Sequence, residues 1–282
     1  MLGLEDLEIG LMFWAGPDAR ATLDHVKSFG LRAGQLGFPG SYPLKGAAEV
    51  WDDALRNARF TPVAVVCSYS GEDYADIPTV QRTVGLVPAS TRAERIARTK
   101  AVADVGKDLG IDSVACHIGF VPEDPDEPLY AEIRDVTRDI CDHCDKNGQN
   151  FTLETGQEPA HVLLRFMEDV GKPNLKINFD PANMILYGTG DPIEALSVLA
   201  KHVVSVHCKD GDWPVRDQPT ALGVECALGE GSVGMERFIH ALKEAGYRGV
   251  LSIEREEPDQ ARRDADIRKA VKLLKSLTGR GE

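Results

Sequence analysis

Four residues able to grip a divalent cation each close a separate strand-like run. Glu154 ends the stretch 150–154, Asp180 ends 175–180, His207 ends 203–207, and Glu254 ends 249–254. Four such ends can meet only if the strands run parallel and share one rim. That is the catalytic face of a (β/α)₈ barrel, where a strand end holds a side chain more rigidly than a loop does. Three carboxylates and one imidazole make a hard, oxygen-rich donor set. Such a set suits Mn²⁺, Mg²⁺ or Co²⁺; Mn²⁺ is the first expectation, with Zn²⁺ kept as a further option.

The charges then suggest a chemistry. Against one divalent ion, three carboxylates leave a net charge of −1, and without the ion one of them should take up a proton or move away. Four ligands in octahedral geometry leave places for two adjacent substrate oxygens, such as those of a hydroxy-ketone or hydroxy-aldehyde. A metal on the carbonyl oxygen stabilises the enediolate formed when the neighbouring carbon loses its proton. Glu154 and Glu254, approaching from different sides of the mouth, are the candidate pair to remove and return that proton. Return to the opposite face is epimerisation, and return to the neighbouring carbon is isomerisation. Loss of a β-hydroxyl is dehydration or elimination. A rival of another class is a metabolite-binding barrel with a structural metal and no turnover.

Other side chains are candidates for substrate contact. His117 falls at the rim of the fourth strand and Trp14 at the end of the first, where its ring offers a platform for a sugar face. Glu158 follows Glu154 closely and can bind a hydroxyl or favour a helix N-terminus. Lys209 lies two residues beyond His207 and points to the same side if the strand continues. Arg216 sits in a long polar segment, 209–232, that follows the seventh strand and is expected to overhang the rim. His143, His161 and His240 fall on helical patterns and are read as surface or packing residues.

These residues must be positioned by alternating elements. Strand candidates are 8–13, 31–37, 61–68, 112–118, 150–154, 175–180, 203–208 and 249–254. Helical patterns fall near 18–29, 46–58, 91–109, 128–147, 158–171, 190–201, 234–245 and 258–277. Strict alternation indicates βαβ units and a parallel sheet, and eight units predict a closed barrel occupying 1–282 as a single domain. Thr91-Arg92-Ala93-Glu94 reads as a capping box. Gly110 and Gly148 read as helix stops, and Pro159 and Pro192 as first-turn prolines.

Composition excludes several function classes. The chain has 282 residues, long enough for such a barrel, and a formal net charge of −13, which disfavours nucleic acid and anionic membrane as partners. No apolar run approaches a membrane span. The first residues do not read as a secretory signal, so a cytoplasmic location is expected. The six cysteines are expected to be reduced, mostly buried thiols, and Cys141-x-x-Cys144 lacks a second pair to complete a zinc site. The expected partner is a small polyhydroxylated carbonyl compound, with a homo-oligomer left open.

The pieces Leu153-Glu154, Asn178 to Asn183, Val206-His207-Cys208-Lys209-Asp210, Leu228 to Val233 and Ser252-Ile253-Glu254 resemble the xylose isomerase-like TIM barrel superfamily, the sugar phosphate isomerase/epimerase group. The resemblance implies a metal-dependent isomerase or epimerase on a sugar or sugar phosphate, with a dehydratase or lyase on a keto-inositol or keto-sugar as the alternative. It also implies Glu154, Asp180, His207 and Glu254 as ligands and the two glutamates as proton carriers. Keto-sugar epimerases of the group usually carry His where this chain has Asn183, as a substrate hydroxyl contact. They often carry Glu at the rim of the second strand, where this chain has Gln35. The DNA-repair branch needs a histidine-rich trinuclear zinc site, which seven histidines and an acidic surface do not match.

Overall fold

In the computed structural model, residues 7–218 and 220–279 are described. Eight strands close in a barrel in the order β1 (Ile9–Trp14), β2 (Ala33–Phe38), β3 (Thr61–Cys67), β4 (Ser113–Cys116), β5 (Asn150–Glu154), β6 (Leu175–Phe179), β7 (Val203–Cys208) and β10 (Leu251–Ile253), which pairs back to β1. All eight pairings are parallel. Two short strands, β8 (Asp210–Asp212) and β9 (Val224–Cys226), form an antiparallel ribbon outside the barrel. The helices are α1 (Ala19–Lys27), α2 (Ala47–Ala58), α3 (Ile77–Thr83), α4 (Ala89–Asp108), α5 (Pro128–Lys146), α6 (Ala160–Val170), α7 (Pro181–Tyr187), α8 (Pro192–Leu199), α9 (Met235–Glu244) and α10 (Gln260–Leu277). None of them is long and apolar enough to cross a membrane.

Period-two alternation sorts the strand residues into two sets. Leu11, Phe13, Leu36, Val65, Val114, Leu153, Ile177, Val206 and Leu251 pack outward with helix residues such as Leu23, Trp51, Phe166 and Phe238 in one large cluster. The opposite parity fills the interior. Met12, Val66 and Ala115 form a small separate apolar cluster there. Gln35, Thr152, Asn178, Ser205, His207 and Ser252 are polar residues of that parity, all buried. The barrel interior is therefore apolar towards β1, β3 and β4 and polar towards β5, β6, β7 and β10.

Register staggers the ligand candidates along the rim. Glu154 pairs with Asn178, Asn178 with Ser205, and His207 with Ser252. Asp180 thus sits one pleat above the level of Glu154 and level with His207, and Glu254 sits one pleat higher again. That stagger is what strand tilt in a closed barrel requires if the four are to meet at the rim.

Strand expectations hold to within two residues at each end. The helical expectations differ at four places. The segments 77–83 and 181–187 are helical although no helix was expected there, and the capping box is not formed. The N-cap of α4 is Pro88, and Thr91 lies inside the helix, its hydroxyl turned back to the Pro88 carbonyl. Gly110 and Gly148 follow α4 and α5 with positive φ, and Pro192 occupies the first turn of α8. Pro159 stands one position earlier than expected, at the N-cap of α6. All six thiols are free, five of them buried.

Candidate metal centre and active-site cavity

Glu154, Asp180, His207 and Glu254 each present one ligand atom, and the four atoms lie within 4.8 Å of one another. His207 Nδ1 is 3.0 Å from Glu254 Oε2, 3.4 Å from Glu154 Oε1 and 3.5 Å from Asp180 Oδ2. Yet Asp180 Oδ2, His207 Nδ1 and Glu254 Oε2 are buried without any hydrogen-bond partner. Buried polar atoms are rarely left so. These atoms crowd together without being aimed at each other, the arrangement of donors placed around a common point. The donor set and the orphaned atoms fit a single divalent cation.

Three of the four ligand candidates are held by hydrogen-bonding neighbours. Asp180 caps α7, its Oδ1 accepting from the Asn183 amide at 3.0 Å, and this leaves Oδ2 for the centre. Thr155 ties the ends of β5 and β6 together, its hydroxyl donating to the Asp180 carbonyl and accepting from the Asp180 amide. Asn183 Nδ2 donates to Glu154 Oε1 at 3.0 Å, and His117 Nε2 lies 3.2 Å from the same oxygen. Beneath the centre, His207 Nε2 is 3.0 Å from Gln35 Oε1 and 3.1 Å from Asn178 Nδ2. A ring carrying its proton on Nε2 donates to Gln35 and bares Nδ1. The other tautomer accepts from Asn178 and has its proton on Nδ1. Only the first can ligate a cation through Nδ1. Gln35 is itself fixed, its Nε2 donating to Asn178 Oδ1, which also accepts from Ser205.

The electrostatics of the cluster are set by burial and by the mutual charges of three carboxyls, two imidazoles and Lys209. Burial alone would raise the Glu154 carboxyl, but His117 and His207 outweigh it and hold the group well below its usual range. Glu254 is brought down to about 2 by His207 and Lys209 against the same burial. Asp180, fully enclosed, is instead pushed up by burial, which Lys209 only partly offsets. One carboxyl of the three therefore leans towards the protonated form, as three acids sharing one centre should. Burial disfavours charge on His207 and His117, yet the facing carboxylates raise both, His117 to about 9.

Above this floor opens a cavity of about 590 Å³, lined in part by Met12, Trp14, Tyr74, His117, Asn183, Lys209 and Leu222. Trp14, 45% exposed, stands at the mouth over Gly37 of β2, where a Cβ would strike the indole. Lys209 is buried, 3.2 Å from Glu254 Oε2 and 2.9 Å from Glu256 Oε1. The ribbon of β8 and β9 lies against α7, and Ala221, Leu222 and Gly223 reach the cavity. The segment after β7 thus does overhang the rim.

Of the residues singled out in the sequence, Glu154, Glu254, Asn183, His117, Lys209 and Trp14 line this cavity, while Asp180 and His207 lie beneath it. Asn183, expected to touch substrate, has its amide donor engaged on Glu154. Two residues are not brought here. Glu158 lines a neighbouring depression, where its Oε1 accepts from the Val121 amide at 2.8 Å and burial pushes its carboxyl up to about 7. Arg216 faces a third depression with Trp213 and Gln218. The sequence reading missed Glu72, Tyr74, Glu225 and Glu256 in the wall. Glu256 was within reach, two residues beyond Glu254. Gln35 was noted only as a departure from a pattern, although its inward parity places it under the cluster.

A family profile described as Xylose isomerase-like TIM barrel matches residues 23–277. The chain belongs to this family. The crystal structure of a xylose isomerase domain protein from Planctomyces limnophilus is 42% identical, with a TM-score of 0.92 over 97% of this chain and 98% of its own. D-psicose 3-epimerase, solved in the presence of D-fructose, shares the fold at 15% identity and a TM-score of 0.68, covering 97% of this chain and 100% of its own. So does the probable 3-DHS dehydratase AsbF from Bacillus anthracis, at 15% identity and a TM-score of 0.65 over 94% of this chain and 99% of its own. Among curated relatives, an uncharacterized protein of Methanocaldococcus jannaschii is 26% identical over 182 residues, 60% of this chain and 56% of its own. The chain spans about half the length of the curated relatives it matches, 56% and 45% of the first two.

Proposed function

We propose that this barrel is a divalent-metal-dependent isomerase or epimerase of a small polyhydroxylated carbonyl compound, with Glu154, Asp180, His207 and Glu254 as the metal ligands and Mn²⁺ as the preferred ion. The observation that carries the reading is the convergence with Glu154, beneath the cavity, of three buried candidate ligand atoms that make no hydrogen bond. When bound, the ion supplies positive charge for the oxygen on which negative charge develops as the substrate loses its carbon-bound proton.

The chain's residues supply the rest. Glu154 and Glu254 project from β5 and from the end of β10 and flank the space above His207. One accepts the proton from the carbon next to the carbonyl, and the other returns one from its own side. His117 steadies Glu154 from the cavity wall and Lys209 steadies Glu254, so each carboxylate has a cation to shift its basicity as the proton moves. Asn183 keeps Glu154 from rotating away. Trp14 and Tyr74 screen the reacting carbon from solvent at the mouth. The likeness to an epimerase structure supports this chemistry for the fold.

A dehydratase or lyase is the second reading. It is favoured by the unequal escorts of the two glutamates, His117 beside one and Lys209 beside the other, and by the dehydratase with the same fold. The test is incubation of ketopentoses, ketohexoses and a keto-inositol in D₂O with Mn²⁺, followed by NMR. The proposal expects deuterium at the carbon next to the carbonyl with the mass otherwise conserved. A dehydrated or unsaturated product selects the second reading. Tight binding with no exchange and no product leaves only a binding barrel.

A further inference from the structure

Two backbone anion sites, one after the seventh barrel strand and one after the last, are taken by the protein's own carboxylates. Barrels that bind phosphorylated substrates commonly cradle the phosphate on backbone amides after the seventh and eighth strands. Here those amides close on Asp210. This side chain, 1% exposed, accepts from the amides of Gly211 at 2.9 Å, Gly229 at 2.9 Å and Val233 at 3.1 Å. The Gly229–Val233 loop is thus wrapped around an internal anion. A Cβ on Gly231 would run into the Asp210 carboxylate, so the loop cannot close this tightly with a larger residue. The N-terminus of α10, after the last barrel strand, is filled likewise by Asp259, which accepts from the Arg262 amide at 2.9 Å.

The side chains tell the same story. Lys209 and His117 are the cationic residues in the cavity wall, against the five glutamates 72, 154, 225, 254 and 256. Lys209 is held between Glu254 and Glu256, and His117 is held by Glu154. Glu72 is satisfied by the amides of Tyr69 and Gly85, and Glu225 by Arg255 at 2.7 Å and by the Glu256 amide. Arg255 is shared further with Asp266 and Glu257 and faces a separate depression. Among the described residues both cations of the wall are held by carboxylates, and Lys209 is shared between Glu254 and Glu256, so neither is free for a phosphate.

We infer that the site takes an uncharged, phosphate-free polyhydroxy carbonyl substrate and rejects its phosphorylated counterpart. The inference rests on the reading of the site given above and narrows it. A dianion placed in this wall would meet glutamates and lose its water with no partner in exchange, a cost large enough to exclude it.

The test is calorimetric titration of the Mn²⁺-loaded protein with matched pairs, D-ribulose with its 5-phosphate and D-fructose with its 6-phosphate, together with a keto-inositol and inorganic phosphate alone. D₂O exchange is followed on the same samples. The free compounds should bind, with each phosphorylated partner weaker by about tenfold or more, and inorganic phosphate should not compete with them. Equal or tighter binding of a phosphorylated member, competition by inorganic phosphate, or failure of every uncharged compound to bind overturns the inference. Selective binding of the free compounds without carbon-bound exchange would sustain it while refuting the isomerase reading.

Discussion

At the scale of single residues, the proposed roles of Glu154 and Glu254 go beyond ligation. Glu154→Gln and Glu254→Gln keep shape and one oxygen donor but cannot carry the proton. Each should lower turnover by about a hundredfold to ten-thousandfold even in excess metal. Near-normal activity in either variant, with metal saturation verified, would remove that residue from proton transfer. Gln35 sits beneath the proposed ligands. As the acceptor for a proton on His207 Nε2, it would favour the tautomer with a bare Nδ1. Gln35→Leu removes the acceptor from a fully buried position and should weaken Mn²⁺ binding by about ten- to a hundredfold. Gln35→Glu, which keeps an acceptor there, should recover most of the loss in a calorimetric titration. Equal affinities for wild type and Gln35→Leu would show that the tautomer is set elsewhere.

At the scale of elements, the ribbon of β8 and β9 depends on Asp210 more than on its own short ladder. Asp210→Ala strips the carboxylate from three amides and should cost about 2 kcal/mol of stability. Hydrogen exchange should rise in 211–233 and stay unchanged in the barrel strands; a uniform rise would mean that Asp210 supports the whole fold. The barrel strands were legible in the sequence because β1 and β3 read as compact apolar runs and β5 and β6 alternate polar and apolar residues at period two. The four ligand candidates were legible for a related reason, since a charged residue that ends such a run has few places to go except the rim. The elements that were missed lack that signal. The helix α7 is seven residues long, is capped by the ligand candidate Asp180 and is buried nearly all round, so it shows no amphipathic stripe. The strands β8 and β9 are three residues each and take their order from Asp210 and Gly223, which are tertiary contacts. Arg216 looked like a substrate residue because it lies in an overhanging segment. The fold of that segment turns it to another depression, and nothing local in the sequence encodes the turn.

At the scale of the molecule, the site couples pH, metal and stability. His117 is raised from 6.5 to about 9 in the metal-free fold, so its pairing with Glu154 stabilises fully below pH 6.5 and fades as pH climbs towards 9. Glu254 is lowered from 4.5 to about 2, so its contribution is complete above pH 4.5 and is lost as pH falls towards 2. Together these groups favour the metal-free protein most between pH 4.5 and 6.5. The facing carboxylates raise His207, and a cation on its Nδ1 would compete with the proton, so metal affinity should rise with pH. Calorimetric melting in chelator and in saturating Mn²⁺ should show the stabilisation by metal growing as pH rises above 6.5, the ordinary imidazole value. A metal effect independent of pH would argue that His207 is not a ligand.

The central claim is that one cation is gripped jointly by side chains from β5, β7 and the ends of β6 and β10. The most direct measurement is a crystal structure of the Mn²⁺-soaked protein with the ion located by its anomalous scattering. The account predicts one strong peak about 2.0–2.3 Å from atoms of Glu154, Asp180, His207 Nδ1 and Glu254. A peak elsewhere, or four side chains left as they are with no ion among them at saturating Mn²⁺, would contradict it.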